Sequence, residues 1–441
     1  MSLIVLAAMS ANRLRTLSAT VLLTLVACNS TARVVINNDG GWCWFQDERA
    51  LALGDTVLIG SVATGHTDAS RKGNIELTRW QPSTGEIETV VLHERLQTDD
   101  HAAPALALTA DGRLLTTYTK HGSDRLLRWR VFGQADHRLE PAPERRLDVG
   151  APITYSNLFL LRSTNELVNL SRAKGWDPNL FVSTDDANTW TPHGRLLAGP
   201  GRPYVIYTSN GEDQVHLIAT DQHPRDFDNS LYHGILQGRS LHDSQGRKLG
   251  TVGGSPPSPS DLTRIFAGKP DAVAWPADVE LDEQHHPVVV FTIQRDGAGQ
   301  PRGHGGMDHR FYYARFDGRN WHVQEIGHAG RRLYAGEDDY TGLAAIDPAD
   351  PSTVYLSTDA DPRTGKALIS NADGQRHREL FAATTRDGGQ NWQFQSLTAH
   401  SDRDNVRPIV PAGTPHVLLW LRGTMRTYTD YTFEVVGMRL P

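Results

Sequence analysis

Two histidines lie twenty positions apart, His101 in Asp99-Asp100-His101 and His121 in Tyr118-Thr119-Lys120-His121-Gly122. The stretch between them reads as strand, turn, strand. The turn is Thr109-Ala110-Asp111-Gly112, with apolar or alternating runs on both sides. A hairpin of that length brings the chain back to the end where it began. Both imidazoles are therefore expected at one rim of a sheet. Histidine is the side chain whose ordinary pKa lies closest to neutral pH, so the pair is suited to moving a proton there.

The elements that must carry this pair are short. After residue 33 no long segment has helical period. Apolar or alternating runs such as Thr56-Ser61, Leu114-Thr119, Tyr204-Tyr207, Pro287-Ile293, Arg310-Phe316 and Val354-Ser357 are separated by turn residues. That pattern predicts an all-β sandwich, barrel or propeller. Repeats choose among these. Ser183-Thr184-Asp185-Asp186-Ala187-Asn188-Thr189-Trp190 and Thr385-Arg386-Asp387-Gly388-Gly389-Gln390-Asn391-Trp392 both fit the Asp-box, Ser/Thr-x-Asp-x-Gly-x-x-Trp, with Ala187 in place of glycine in the first. Phe316-Asp317-Gly318-Arg319-Asn320-Trp321 is a degenerate third copy. Such a box is a hairpin turn: Asp accepts turn N–H groups, Gly admits a positive φ, and Trp packs back between blades. Degenerate copies spread along a chain indicate a β-propeller. At roughly 40–50 residues per blade, seven blades fit the length better than five, with six open. The Gly- and Pro-rich segments 220–280 and 295–310 read as long loops over one face.

The 441 residues carry a formal charge of −7, with charged residues making up 22%. This is a globular composition, and it offers no basic surface for nucleic acid. At the N-terminus, Arg13 and Arg15 precede the apolar run Leu17–Ala27, which is short for a bilayer span and reads as a secretory h-region. It ends in Leu25-Val26-Ala27-Cys28, similar to a bacterial lipoprotein signal. Residues 1–28 are thus expected to be a signal peptide with Cys28 lipidated, 29–39 a short tether and 40–441 one propeller domain. Asn29 after the cysteine favours the outer membrane. The lipid would be the only membrane attachment, and a monomer is expected. Cys43, the second of two cysteines, is then without a disulfide partner and reads as a buried filler.

Several segments together resemble the BNR-4-type propellers. They are Gly41-Trp42-Cys43-Trp44-Phe45-Gln46-Asp47-Glu48-Arg49-Ala50, Tyr155-Ser156-Asn157, Arg202-Pro203-Tyr204-Val205, His223-Pro224-Arg225 with Tyr232-His233, Asp347-Pro348 with Val354-Tyr355-Leu356-Ser357, and Asn405-Val406-Arg407-Pro408. That group includes seven-bladed ulvan lyases of polysaccharide lyase families 24 and 25 and related rhamnosyl-glucuronate lyases. The resemblance implies a cleft holding a histidine pair, a tyrosine and an arginine. His101 and His121 match the pair, Tyr155 the tyrosine and Arg172 the arginine, with Tyr204, Tyr207 and Arg225 as competitors for the last two.

The implied chemistry is β-elimination on a uronate-containing glycan of rhamnose–glucuronate type. A base removes the C5 proton, a cation steadies charge on the adjacent carboxylate, and an acid reaches the leaving oxygen. In this reading Arg172 neutralises, His121 and Tyr155 transfer protons in an unassigned order, and His101 orients. Asn157, Asn179, Tyr204 and Arg225 are candidate sugar contacts. Trp176 could stack on a sugar ring, although tryptophans in propellers are more often structural. The catalysis needs no cofactor. His223 and His233, with acidic neighbours, are a candidate pair for a structural zinc or calcium ion. Asp-box propellers also include sialidase- and rhamnosidase-like hydrolases, and a glycan-binding lipoprotein without catalysis is the third class. The double bond left by elimination separates the first two.

Overall fold

A computed structural model describes residues 32–43, 46–134, 138–297, 300–301 and 303–441. The expected signal peptide, Cys28 and the first residues of the tether lie outside the described residues. The chain forms seven antiparallel sheets arranged as the blades of a propeller. Blade 1 spans residues 50–93, blade 2 105–148, blade 3 158–195, blade 4 205–266, blade 5 273–330 and blade 6 344–396. Blade 7 joins Asp404–Ile409, Val417–Thr427 and Asp430–Arg439 to Val34–Asn37, so the first strand pairs with the last and closes the ring. The propeller thus begins at residue 34 rather than 40. Within the expected tether, Val34–Asn37 is an outer strand, held by backbone pairing that composition does not reveal.

Inner and outer strands differ as burial requires. Thr56–Val62, in the middle of blade 1, is buried at every position because neighbouring blades cover both of its faces. The outermost strand of that blade, Glu86–His93, is mostly exposed or half-buried, and none of its Glu86, Glu88, Thr89 and His93 is buried. The segment 220–280, expected to be loop, instead carries several strands. It holds Leu231–Gln237, Ser240–His242, Lys248–Thr251 and Thr263–Phe266, which widen blade 4 to six strands. Leu231–Gln237 is mostly buried, but the other three strands are short and half-exposed, so their apolar signal is weak.

The turns at 183–190 and 385–392 share one hydrogen-bond pattern. Asp185 Oδ1 accepts from Ser183 Oγ (2.8 Å) and Thr189 N (2.9 Å). Asp387 Oδ1 accepts from Thr385 Oγ1 (2.9 Å) and Asn391 N (2.9 Å). Ala187 adopts φ 60°, the left-handed conformation that Gly389 (φ 95°) takes in the other copy. The Ala187 carbonyl accepts from Trp129 Nε1 of blade 2 (2.8 Å), and Trp392 meets Tyr313 of blade 5 edge-on, so both turns seal blade seams.

Candidate active site

In blade 2, Ala105–Leu108 pairs antiparallel with Arg113–Tyr118. His101 precedes the first strand and His121 follows the second, so both sit at one end. In blade 3, Tyr155 precedes Leu158–Leu161 and Arg172 ends the paired strand Glu166–Arg172. The same topology places all four residues on one propeller face. There the groups converge. The two imidazole rings stack with centroids 3.9 Å apart and planes 10° from parallel. The His101 ring is 5.3 Å from the Tyr155 ring, and the Arg172 guanidinium carbon is 5.0 Å from it.

Asp99 organises the pair. It caps the single 3-10 turn Asp100–Ala102, its Oδ1 accepting from His101 N (3.0 Å). The same oxygen lies 2.6 Å from His101 Nδ1, and Oδ2 lies 2.7 Å from His121 Nδ1. A carboxylate only accepts, so each Nδ1 carries a proton. When His121 is neutral its lone pair is on Nε2, which has no partner among the described residues. The 3-10 turn is itself anchored: Asp100 pairs with Arg407 Nη1 (2.8 Å), and Gln46 Nε2 donates to the His101 carbonyl (3.0 Å).

The two imidazoles are driven apart in basicity. Burial pulls His101 down, but its neighbours Cys43, Tyr155, Asp99 and Asp100 outweigh that and raise its pKa well above the ordinary value. Burial and then the charge on His101 lower His121, against the pull of Asp99. Two stacked rings cannot both be charged cheaply, so His101 holds the proton and His121 stays neutral. Burial opposes ionisation of Asp99, yet the two imidazoles hold it far below the ordinary carboxylate range. Burial also raises Tyr155, against His101 and Arg172.

Accessibility differs within the four. The His121 side chain is 26% exposed. Tyr155 is 6% exposed and Arg172 5%. The guanidinium is sandwiched between the phenol rings of Tyr155 and Tyr204, 4.1 Å from the latter, and donates to Pro203 O (3.4 Å). The Tyr155 hydroxyl is buried without a hydrogen-bond partner, on a backbone held at φ 63°. A cavity of about 20 Å³ beside it, lined also by Asn157, Arg172 and Tyr207, has room for about one water and none for a sugar ring. Two aromatic rings cover the Arg172 charge.

The other expected site residues are mostly engaged by the protein. Asn157 accepts from Asp47 N (2.9 Å) and donates to Leu170 O (2.7 Å). Asn179 donates to Lys174 O (3.2 Å) and Asp177 O (2.7 Å), bracing the loop that carries Trp176. Arg225 pairs with Glu337 (2.6 Å). Tyr204 stays at the site as the second cover of Arg172. The expected metal pair does not fit an ion. His223 has Nε2 on Tyr340 Oη (3.2 Å) and Nδ1 on Arg225 N (3.1 Å). His233 has Nε2 on His216 Nδ1 (3.1 Å) and Nδ1 on Ser244 Oγ (2.8 Å). All four ring nitrogens are taken. Among the described residues, three ligand atoms come within 4.8 Å of one another in three places: Asp99/His101/His121, Cys43/Asp100/His101 and Glu48/Asp278/Glu280. The first two belong to the histidine site itself.

Sequence reasoning missed three contributors. Asp99 is the first; its place two residues before His101 was the available signal. Tyr428 is the second: it meets both imidazoles edge-on, 5.2 Å from His101 and 5.6 Å from His121, from a turn in blade 7 that nothing local links to blade 2. The third is Trp275 with Tyr340, which complete an aromatic wall with the expected Tyr204 and His223.

Comparison with known proteins agrees with this architecture. No curated protein matches the chain. Among solved structures, an ulvan lyase of polysaccharide lyase family PL25, bound to -[GlcA(1-4)Rha3S]-, is similar with a TM-score of 0.67 over 92% of this chain and 95% of its own, at 12% identity. A second structure of a PL25 ulvan lyase gives the same figures. At that identity the likeness is one of fold. Residues 64–329, more than half of the chain and including the histidine hairpin, Tyr155 and Arg172, match the model of a BNR repeat-containing family, BNR_4. With that match on a seven-bladed ring of antiparallel sheets, the chain belongs to the BNR repeat-containing family of the BNR_4 type.

Proposed function

We propose that the chain is a polysaccharide lyase that cleaves a uronate-containing glycan by β-elimination. The observation that carries this reading is the split histidine pair: a solvent-facing neutral His121 with a free Nε2, stacked 3.9 Å from a buried, protonated His101. His121 Nε2 takes the C5 proton. The C5–H electrons form the C4–C5 double bond, the C4–O bond breaks, and the leaving oxygen takes a proton from the Tyr155 hydroxyl, which has no protein acceptor to give it to. Tyr155 must turn outward to reach it. The charges of His101 and Arg172 lie beneath the cleft and favour the enolate-like anion that forms on the uronate carboxylate. Asp99 fixes both rings and takes no part in bonding to substrate.

The substrate class rests on the fold likeness to the ulvan lyase solved with a glucuronate–rhamnose polymer. Hydrolysis is less well served here. Most glycoside hydrolases use two carboxyl groups flanking the scissile bond. At the histidine pair, Asp99 is bound to both imidazoles and Asp100 to Arg407, which leaves neither for a sugar. Export with lipid on Cys28 is part of the same reading, since polymeric substrates are met outside the cell.

The test is incubation of the protein with rhamnosyl-glucuronan polymers while ultraviolet absorbance of unsaturated uronate is followed. Rising absorbance is expected. New reducing ends without absorbance would assign a hydrolase, and binding without either would assign a glycan-capturing protein.

A further inference from the structure

A second cavity of about 670 Å³ opens among blades 4, 5 and 6. Its lining residues follow the second strand of blade 4 (Gln214–Thr220), follow the second strand of blade 5 (Pro287–Gln294), or precede the first strand of blade 6 (Ala344–Ile346). Those are the positions that carry the histidine site in blades 2 and 3, so the cavity shares its face. A continuous wall joins them: Arg172 rests on Tyr204, Tyr204 meets His223 edge-on at 5.2 Å, and His223 bonds to Tyr340, the residue after Asp339. The volume suits a sugar ring, as small-molecule pockets run to several hundred Å³.

The lining combines an aromatic with hydrogen-bonding groups. Phe227 stands 41% exposed at the rim. Asp339, 3% exposed, forms part of the wall. Its Oδ1 receives the Gln294 amide (2.6 Å), while its Oδ2 is buried with no partner. A buried oxygen left so beside an open cavity is a site for a ligand hydroxyl. Burial and the neighbouring Glu337 and Asp338 push the Asp339 carboxyl up to about 8, so near neutral pH it can donate as well as accept.

The charge of the lining is one-sided. Five aspartates line the cavity, and Arg225 is its only cation among the described residues. The Arg225 charge is already committed to Glu337 at 2.6 Å and to Asp226 at 3.5 Å. A divalent ion does not explain the aspartates, because none of them falls in any group of three ligand atoms within 4.8 Å among the described residues. They are spread around a ring-sized space instead of converging on a point.

We propose that this cavity is a subsite for an uncharged sugar ring of the glycan and that it turns away rings bearing sulfate. The inference rests on the glycan-directed reading above and adds a substrate preference to it. Asp226 and Asp228, both exposed beside Phe227, supply the repulsion, and Phe227 supplies an apolar face for the ring.

The test is calorimetry on the full chain carrying His121→Ala, with two glucuronate–rhamnose tetrasaccharides that differ only in sulfate at the rhamnose 3-position. The unsulfated sugar is expected to bind at least ten-fold tighter. Phe227→Ala should weaken it several-fold, and the double change Asp226→Asn/Asp228→Asn should narrow the gap by strengthening the sulfated sugar. Equal or tighter binding of the sulfated sugar, no binding of either, or a gap unmoved by the double change overturns the subsite. Unsaturated product measured on the unsubstituted protein separates the two claims. An unsulfated preference without such product upholds the cavity and refutes the lyase. Product from both sugars, with equal affinity, upholds the lyase and refutes the cavity.

Discussion

His121 lies flat on His101, and one carboxylate, Asp99, holds both rings by their Nδ1 atoms at 2.7 and 2.6 Å. This shared anchor makes Asp99 a positioning residue whose loss is distinguishable from a folding defect. Asp99→Asn keeps the size and removes the charge. Turnover should fall by about 10²-fold, the lower end of the range for general acid–base catalysis, while the melting temperature changes little by comparison. Asp99 raises the pKa of both imidazoles. In the variant both pKa values should therefore drop, which histidine ring resonances followed by NMR would report.

The pH profile of the unaltered protein follows from the same split. The base must be unprotonated, and the His121 pKa lies below the ordinary imidazole value of about 6.5. Activity should fall on the acid side only as pH drops through that lowered value. The stacked cation must stay protonated, and the His101 pKa lies above 6.5. Activity should fall again as pH rises through it. A plateau spanning neutral pH is expected in kcat/KM. A profile that rises steadily with pH would point to a tyrosinate base instead.

Trp176 is 43% exposed, although an indole gains most from burial, and its backbone sits at φ 60°. Such strain persists only where surroundings enforce it. Asn179 braces the loop, and the indole edge packs on Gly122, where a Cβ would come within 2.9 Å of it. Gly122 directly follows His121. Trp176→Ala should raise KM about ten-fold, the scale of one lost aromatic stacking contact, with kcat nearly unchanged. Trp176→Tyr should restore most of the loss. Steady-state kinetics on the polymer would check both.

Arg407 fastens blade 7 beneath the histidine turn of blade 2. Its guanidinium is buried against Asp100, which is buried too, and it also donates to the Trp42 carbonyl. Arg407→Ala removes the buried guanidinium from Asp100, leaving that carboxylate only the His101 ring at 2.9 Å, and should cost about 3–5 kcal/mol of stability. Denaturant unfolding would measure it. A double change with Asp100→Asn should recover part of the loss.

Much of this site was legible in the sequence, for reasons that differ residue by residue. The hairpin from His101 to His121 is local: a turn signal at Thr109–Gly112 and two apolar runs fix its length, and length fixes which end the imidazoles share. Tyr155 and Arg172 were placed by family likeness, and topology puts them beside the pair. Their burial was not legible, because it depends on Tyr204 closing over the guanidinium from the next blade. Asn157 and Asn179 looked like sugar contacts, but their amides are consumed on the local backbone at Asp47 N, Leu170 O and Asp177 O. Tyr428 and Arg407 arrive from the far end of the chain through ring closure, a contact that no local pattern encodes. Ser240–His242, Lys248–Thr251 and Thr263–Phe266 of the widened blade 4 are short and half-wet, so their alternation was too faint to separate from loop.

The most direct test of the lyase account is mass spectrometry of the products formed from a glucuronate–rhamnose polymer in ¹⁸O-labelled water. Elimination adds no water across the broken bond. The account predicts fragments whose masses sum to that of the substrate, with a double bond at the new non-reducing end, no label, and no product with His121→Ala. Label incorporated at new chain ends, or full activity in that variant, would contradict it.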